Sequence, residues 1–264
     1  MKRLVVLLIF ASAALCMPLI IKTLSGGFKP SKVRGHLPES PAWEVGFDPA
    51  LLELFKQPYT YIGKGSQCYV FESKDREWAI KFFRSDHFDS KHEVFPLFDA
   101  VSMAYQHLKE ETGLIYIHLN QTQLNLPVLV CKDAIGRSYR LPLDELRFAV
   151  QKKAEPFQAV LKEALSDPDQ MRKRLDQFID LLLQRTAKGI FNADPSLSRN
   201  FGFLEQRAIE IDVGNFTTKA PHSREDEIER YMSRLRSFLK KVAPEWIDYA
   251  NQKTRASLDR ESPS

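Results

Sequence analysis

The chain has 264 residues, of which 44% are hydrophobic, enough to bury one sizeable core or two smaller ones. Its 38 Lys and Arg nearly balance 34 Asp and Glu, and the basic residues are scattered among acids, so composition does not favour a nucleic-acid binder. The three cysteines, Cys16, Cys68 and Cys131, lack the spacing of a zinc site, and their odd number provides no complete disulfide framework.

The N-terminal segment from Leu4 to Ile21 contains no charged residue, and Lys2 and Arg3 precede it. This length reaches the lower bound for a membrane-spanning helix, and the basic start also suits a signal peptide. We predict a single-pass membrane anchor within residues 1–22. The alternative is a cleaved signal, which would leave a secreted or periplasmic protein. Basic residues that follow the segment mildly favour a cytoplasmic location for the rest of the chain.

Residues 23–42 are rich in glycine and proline among polar residues, which is typical of a linker. The sequence therefore predicts a folded domain over residues 43–256. Residues 257–264 are polar, and we predict that they form a disordered tail.

The first half of this domain has the pattern of a β-sheet. Short β-branched and aromatic segments predict three antiparallel strands over residues 59–62, 68–72 and 77–83, and further strands over 114–119, 128–132 and 146–150. Apolar residues at helical spacing predict a helix over residues 97–111.

The second half has mostly helical patterns. Helices are predicted over residues 156–188, with an interruption at Asp167-Pro168, and over residues 224–256. A β-rich half followed by a helical half predicts an α+β fold with two lobes, residues 43–150 and 151–256.

Two motifs in the first half could bind phosphate. Gly63 and Gly65 lie at a predicted hairpin tip, where glycine lets backbone N–H groups approach phosphate oxygens. Lys81 follows Ala79-Ile80 in an apolar strand, and a lysine there must pair or extend to solvent. Nucleotide phosphates are one partner for it. The ordinary alternative for the glycine pair is a tight turn.

Two further motifs lie in the second half. Asp194 precedes Pro195, Asn200 follows six residues after Asp194, and Asp212 ends a predicted strand two residues before Gly214. Carboxylates at strand ends beside glycine commonly hold Mg²⁺ against phosphate oxygens. Each motif alone is more commonly an ordinary turn. The order of all four motifs favours the functional interpretation.

Over residues 59–216 this series of motifs resembles the protein-kinase-like superfamily. Gly63 and Gly65 are similar to the first two glycines of its Gly-rich loop, and Lys81 to its strand lysine. The resemblance implies a two-lobed protein-kinase-like fold, with an antiparallel N-lobe sheet plus a helix and a reduced helical C-lobe. It also implies that ATP phosphates are bound by Gly63, Lys64, Gly65, Ser66 and Lys81.

The same resemblance assigns roles to residues of the second half. Asp194 is similar to the catalytic-loop aspartate and would orient or deprotonate the acceptor hydroxyl. Asn200 and Asp212 are similar to the metal-binding residues and would hold Mg²⁺. Gln151 lies in the segment that corresponds to the interlobe hinge, whose backbone would face the adenine. Glu93 is the acid that we select to pair with Lys81.

The chain departs from the family pattern at several positions. Cys68 stands in place of the third glycine, Asn192 in place of the catalytic-loop histidine, and Val213 in place of phenylalanine. Only residues 215–264 follow Gly214, too few for the full helical lobe that grips peptide substrates. The resemblance is therefore to the compact, atypical branches of the superfamily.

That resemblance implies an enzyme that transfers the γ-phosphate of ATP to a hydroxyl on a protein, sugar or lipid-linked acceptor. The first alternative is a membrane-tethered pseudokinase that acts as a nucleotide-binding or protein-interaction module without catalysis. The second is a structural membrane-associated protein whose motifs are coincidental turns.

Overall fold

The computed structural model describes residues 26–88, 91–219 and 222–261, without the side chains of residues 91, 92 and 261. The chain divides into two compact units, Met1–Lys91 with His118–Val150, and His92–Ile117 with Gln151–Ser264. The predicted boundary after residue 150 coincides with a boundary between these units. Residues 92–117 belong to the second unit, whereas the sequence places them in the first lobe.

The strands are β1 Tyr59–Lys64, β2 Cys68–Ser73, β3 Trp78–Phe83, β4 Leu114–His118, β5 Val128–Lys132, β6 Ser138–Pro142, β7 Phe148–Lys152, β8 Glu155–Pro156, β9 Phe191–Asn192, β10 Phe201–Phe203, β11 Ala208–Glu210 and β12 Phe216–Thr217. The α-helices are α1 Leu52–Phe55, α2 Lys91–His107, α3 Lys109–Thr112, α4 Phe157–Glu163, α5 Pro168–Ala187, α6 Leu197–Asn200, α7 Arg224–Val242 and α8 Ile247–Glu261.

The first unit is built on a mixed β-sheet with the order β7-β3-β2-β1-β5-β6. The predicted antiparallel strands β1, β2 and β3 are confirmed, since Tyr59 pairs with Ser73 and Val70 with Lys81. Strand β1 also pairs in parallel with β5, which pairs antiparallel with β6. The sequence analysis missed β6, whose alternating polar residues leave only Leu141 fully buried.

Residues 26–42, predicted to be a linker, pack against this sheet. The ring of Phe28 is 1% exposed and meets Tyr69 and Phe71 edge-on, with centroids 5.2 and 4.9 Å apart. Val33 and Leu37 are buried as well. The prolines that suggested a flexible segment instead begin short 3₁₀ turns at 30–32 and 41–43, a position that favours proline because its N–H group is not needed there.

The second unit is a group of helices packed on the small sheet β11-β10-β8. Its core contains mostly Phe, Leu, Met and Tyr side chains of α4, α5, α7 and β10, among them Phe157, Leu175, Phe178, Leu182, Phe201, Tyr231 and Leu235. The predicted interruption at Asp167-Pro168 is confirmed, because the Asp167 carboxylate caps α5 by accepting hydrogen bonds from the amides of Asp169 and Gln170.

The C-terminal helical pattern divides into two helices. Ala243 ends α7 and Pro244 starts a 3₁₀ turn, after which α8 continues to Glu261, beyond the predicted start of the tail at residue 257. Ser257 is buried in that helix. The chain is therefore an α+β protein, as predicted, with an ordered helix where the first residues of the predicted tail lie.

Among the residues that the structure describes, none of the helices combines the length and the apolar character that crossing a membrane requires. The predicted N-terminal hydrophobic helix at residues 4–21 lies outside the described residues.

Candidate active site

The predicted phosphate-binding loop is the turn between β1 and β2. The Gly65 amide donates to the Cys68 carbonyl over 3.0 Å and closes the turn. Arg84 fixes its tip, because its backbone N–H donates to Gln67 O at 2.8 Å and its Nη1 to Ser66 O at 3.1 Å. A side chain at Gly63 would meet no atom within 4 Å, so the space around it is open. The turn has room for a ligand, and its geometry is also that of an ordinary hairpin. Lys64 and Ser66 are exposed on this turn.

Lys81 lies in β3, directly opposite Val70 of β2, and it is half-buried, whereas its sequence neighbours Ile80 and Phe82 are fully buried. Glu93 is exposed and lies in the first turn of α2, which begins at Lys91 rather than at the predicted residue 97. The proposed ion pair between Lys81 and Glu93 stays a prediction.

Gln151 is buried in β7, and its side chain ties backbone segments of the second unit together. Its Nε2 donates to the carbonyl of Thr112 at 2.5 Å and, more weakly, to that of Glu210 at 3.5 Å. The Gln151 side chain therefore has a structural role. A contact between its backbone and a nucleotide stays a prediction.

Asp194, Asn200 and Asp212 lie together on the second unit, although eighteen positions separate the first from the last. The Asn200 Nδ2 donates to the Asp194 carbonyl at 2.8 Å and closes the loop between them. The Asn200 carbonyl accepts hydrogen bonds from the amides of Ile211 at 2.6 Å and Asp212 at 3.4 Å. These bonds fix the Asp194 loop to the segment that carries Asp212.

The amide oxygen of Asn200 is the distinctive atom of this site. Asn200 is 1% exposed, and within the described residues its Oδ1 has no hydrogen-bond partner. The orientation of the amide is fixed, since its Nδ2 is needed as the donor to Asp194 O. A buried acceptor without a partner is costly and calls for a physical reason. A bound cation would satisfy this oxygen.

Asp212 is linked to Asn200 through the backbone, because its amide donates to the Asn200 carbonyl. Its carboxylate is exposed, and Oδ1 accepts only a long hydrogen bond, 3.3 Å, from the Gly214 amide. In the described ranges no group of three or more His, Cys, Asp or Glu residues is placed to hold a metal ion. Mg²⁺ usually takes one or two protein carboxylates and completes its shell with water and phosphate oxygens. The Asn200 amide oxygen and the Asp212 carboxylate are oxygen ligands of the kind that Mg²⁺ takes.

The Asp194 carboxylate is held at the surface of the same loop, where it is 32% exposed. Its Oδ1 accepts from the Ser196 amide at 3.1 Å, and its Oδ2 lies 3.9 Å from Arg199 Nη2. The Asp194 carbonyl accepts from the Tyr231 hydroxyl at 3.3 Å. The carboxylate is thus partly exposed, with Oδ1 hydrogen-bonded within the loop and Oδ2 near Arg199. It lies on the wall of a cavity of about 600 Å³.

A buried ion network beneath the loop fixes Asn192 and, through it, Asp194. Arg185 lies 2.9 Å from Glu210 and 3.0 Å from Glu227, and all three side chains are fully buried. Asn192 donates through its backbone to Glu227 at 2.9 Å and through Nδ2 to Glu210 at 2.7 Å. Its Oδ1 accepts from the Asp194 amide at 2.9 Å. Asn192 is therefore the link between the network and the loop.

The two carboxylates of this network ionise differently. Burial raises the pKa of Glu210 to about 7, although Arg185 and the Asn192 amide favour its charged form. Burial also opposes ionisation of Glu227, but the Asn192 backbone bond, Arg185 and His222 outweigh it and lower its pKa. Arg230 adds a second cation at 2.9 Å from Glu227. Glu227 is thus the charged anchor, and Glu210 is the group that titrates near neutral pH.

Sequence reasoning missed Arg185, Glu210 and Glu227. A signal was present, because Arg185 follows three leucines on α5 and continues the buried face formed by Phe178 and Leu182. A charged residue at a core position of a helix must have a buried counter-charge. The sequence does not show which acids provide it.

Comparison with known proteins adds no family: no protein-family model matches the chain, and no curated protein matches its sequence. The function therefore rests on the chemistry of the chain's own residues.

Proposed function

We propose that the chain is an ATP-dependent phosphotransferase of protein-kinase-like type. The observation that carries this proposal is the buried, unpartnered Oδ1 of Asn200, held by hydrogen bonds between the Asp194 loop and Asp212. This arrangement supports a magnesium site beside a carboxylate that can receive a proton, the minimum that phosphoryl transfer to an alcohol requires.

Eight of the ten predicted site residues have a role in this proposal. Asn200 and Asp212 hold Mg²⁺, which supplies positive charge against the phosphate oxygens. Lys81 and the turn from Gly63 to Ser66 bind the phosphates of ATP. Asp194 orients the acceptor hydroxyl and takes its proton.

The transfer itself is a displacement at the γ-phosphorus. The acceptor oxygen forms a bond to that phosphorus, and the bond to the oxygen bridging the β- and γ-phosphates breaks. ADP leaves with the bonding electrons, and the hydroxyl proton passes to the Asp194 carboxylate and then to water. The ion network under Asn192 keeps that carboxylate in place, and positioning of this kind is the main catalytic contribution in phosphoryl transfer.

The test is thermal melting of the full-length chain with ATP, with and without Mg²⁺. A ligand at about 100 times its dissociation constant stabilises the folded state by roughly 2.7 kcal/mol. We expect a magnesium-dependent increase in melting temperature that Asp212→Asn abolishes, because the substitution keeps the shape and removes the charge. Asp259→Asn, at an exposed carboxylate of α8, is the matched control and leaves the increase unchanged.

An equal increase in the parent and the Asp212→Asn protein would show that the metal assignment is wrong. Magnesium-dependent ATP binding without release of ADP or transfer of labelled γ-phosphate, across a panel of alcohols, would favour the pseudokinase alternative. No binding at millimolar ATP would overturn the kinase-like proposal.

A further inference from the structure

The cavity beside Asp194 lies wholly within the second unit. Its volume of about 600 Å³ is within the range of small-molecule sites. Three elements form its walls: α4, the loop that follows Asp194, and the C-terminal half of α7. Asp194 is therefore on the wall of a space that can hold a small acceptor.

Four cationic side chains line this cavity, from three separate parts of the sequence: Lys162, Arg199, Arg234 and Lys241. Asp194 is the one carboxylate among the lining residues. Four positive side chains against one carboxylate give this space an excess of positive charge, which attracts an anion. An ordinary solvated surface would intersperse acids among them.

Three of these four cations have no carboxylate partner among the described residues, whereas Arg199 lies 3.9 Å from Asp194. In the described part of the chain, no carboxylate lies within salt-bridge distance of Lys162, Arg234 or Lys241, whereas Arg236 of α7 pairs with Glu229. Likewise, Lys253 of α8 lies 3.3 Å from Asp180. Lys162, Arg234 and Lys241 are thus available to a ligand in the cavity.

Two of the cationic residues that line the cavity are carried by α7. Arg234 and Lys241 are seven positions apart and lie on the same helix face two turns apart, with Ser237 between them. Lys162 is in the last turn of α4 on the facing wall. Guanidinium and ammonium groups with a hydroxyl between them suit an oxyanion that accepts several hydrogen bonds.

We propose that this cavity binds the acceptor, and that the acceptor is a small phosphate-bearing alcohol such as a sugar phosphate; this assignment rests on the proposed function. The existing phosphate is held by Arg234, Lys241 and Lys162, and a hydroxyl of the same molecule reaches Asp194. A phosphate dianion matches the excess of positive charge better than one carboxylate does. The γ-phosphoryl group of ATP is then transferred to the oxygen of that hydroxyl, and the hydroxyl proton goes to Asp194. The products are ADP and an acceptor that carries two phosphate groups.

The binding test uses calorimetry on the full-length chain without nucleotide. Glucose 6-phosphate is the probe, and glucose is its uncharged counterpart. We expect saturable binding of glucose 6-phosphate alone, weakened about tenfold (about 1.4 kcal/mol) by Arg234→Gln or Lys241→Gln, since each removes a charge-assisted hydrogen bond to the phosphate. Lys240→Gln is the matched control, because Lys240 is exposed on the same helix but does not line the cavity.

Several results would overturn the acceptor assignment. The first is that glucose binds as tightly as glucose 6-phosphate. The second is that Lys240→Gln and Lys241→Gln reduce the affinity for glucose 6-phosphate equally. The third is that binding does not saturate at millimolar glucose 6-phosphate. The same headgroup chemistry occurs in phosphorylated lipids. Vesicles containing phosphatidylinositol 4-phosphate, compared with phosphatidylcholine vesicles, test that source. Binding to them that both α7 variants lose, without binding of the soluble probe, would overturn the soluble acceptor in favour of a lipid.

The acceptor and the nucleotide proposals fail separately. Arg234→Gln should leave the magnesium-dependent ATP shift unchanged, and Asp212→Asn should leave glucose 6-phosphate binding unchanged. Probe binding without any ATP binding would refute the phosphotransferase and leave only an anion site. ATP binding with unaltered probe affinity in both α7 variants would refute the acceptor site alone.

Discussion

Replacing Glu210 by glutamine tests whether the buried carboxyl group that accepts a hydrogen bond from Asn192 changes its protonation near neutral pH. The ordinary pKa of this group, 4.5, is raised to about 7 in the fold. Because the folded-state pKa is above the unfolded one, the stability contributed by the protonated form is complete below about pH 4.5 and is lost as pH rises through about 7. At 1.36 kcal/mol per pKa unit, the loss is roughly 2–3 kcal/mol between pH 5 and pH 8.

The measurement is urea unfolding of the parent and of Glu210→Gln at both pH values. Glutamine does not ionise, so the variant should gain stability relative to the parent as the pH increases. Glu205→Gln, at an exposed position of the same unit, is the control and should follow the parent. A stability difference between the variant and the parent that is equal at the two pH values would refute a raised pKa at Glu210.

Two further predictions concern the first unit. Lys81→Met should lower the affinity for ATP, because we propose that the ammonium group binds the nucleotide phosphates. The melting temperature without ligand should stay nearly unchanged. A large fall in that melting temperature would show that Lys81 is a structural ion-pair partner. Phe28→Ala should destabilise the fold by roughly 3–5 kcal/mol in urea unfolding, because it empties a fully buried ring site against Tyr69 and Phe71. Leu124→Ala, at a side chain 47% exposed, should cost far less, and equal losses would contradict the packing of residues 26–42 on the sheet.

The elements with strong local signals were predictable. The strands around Lys81 are recognised from β-branched and aromatic residues between turns, and the break before Pro168 from a capping aspartate. The packing of residues 26–42 could not be predicted, because glycine and proline indicate where a chain turns but not whether it packs against another element. Burial of Phe28 depends on a sheet whose strands come later in the sequence.

The candidate site was predictable only in part. Asp194, Asn200 and Asp212 were chosen from short motifs, and the structure brings them together through backbone hydrogen bonds. Asn192 was identified as a departure from a motif, but its role as the link to Glu210 and Glu227 depends on contacts between distant segments. For the same reason, Lys162 and Lys241 are scattered basic residues in the sequence and neighbours across a cavity in the fold.

The dependence of the Asp194 loop on Arg185 also limits how this protein can change over generations. Losing Arg185 alone would leave the buried Glu210 and Glu227 without the guanidinium group that they share, and removing either acid alone would disturb the contacts of Asn192. Substitutions at these positions are therefore expected to be inherited together, whereas the cavity cations on α7 can each vary alone. If the proposed function holds, the position of Asp194 depends on residues that must change together, whereas the proposed contacts to the acceptor can change one at a time.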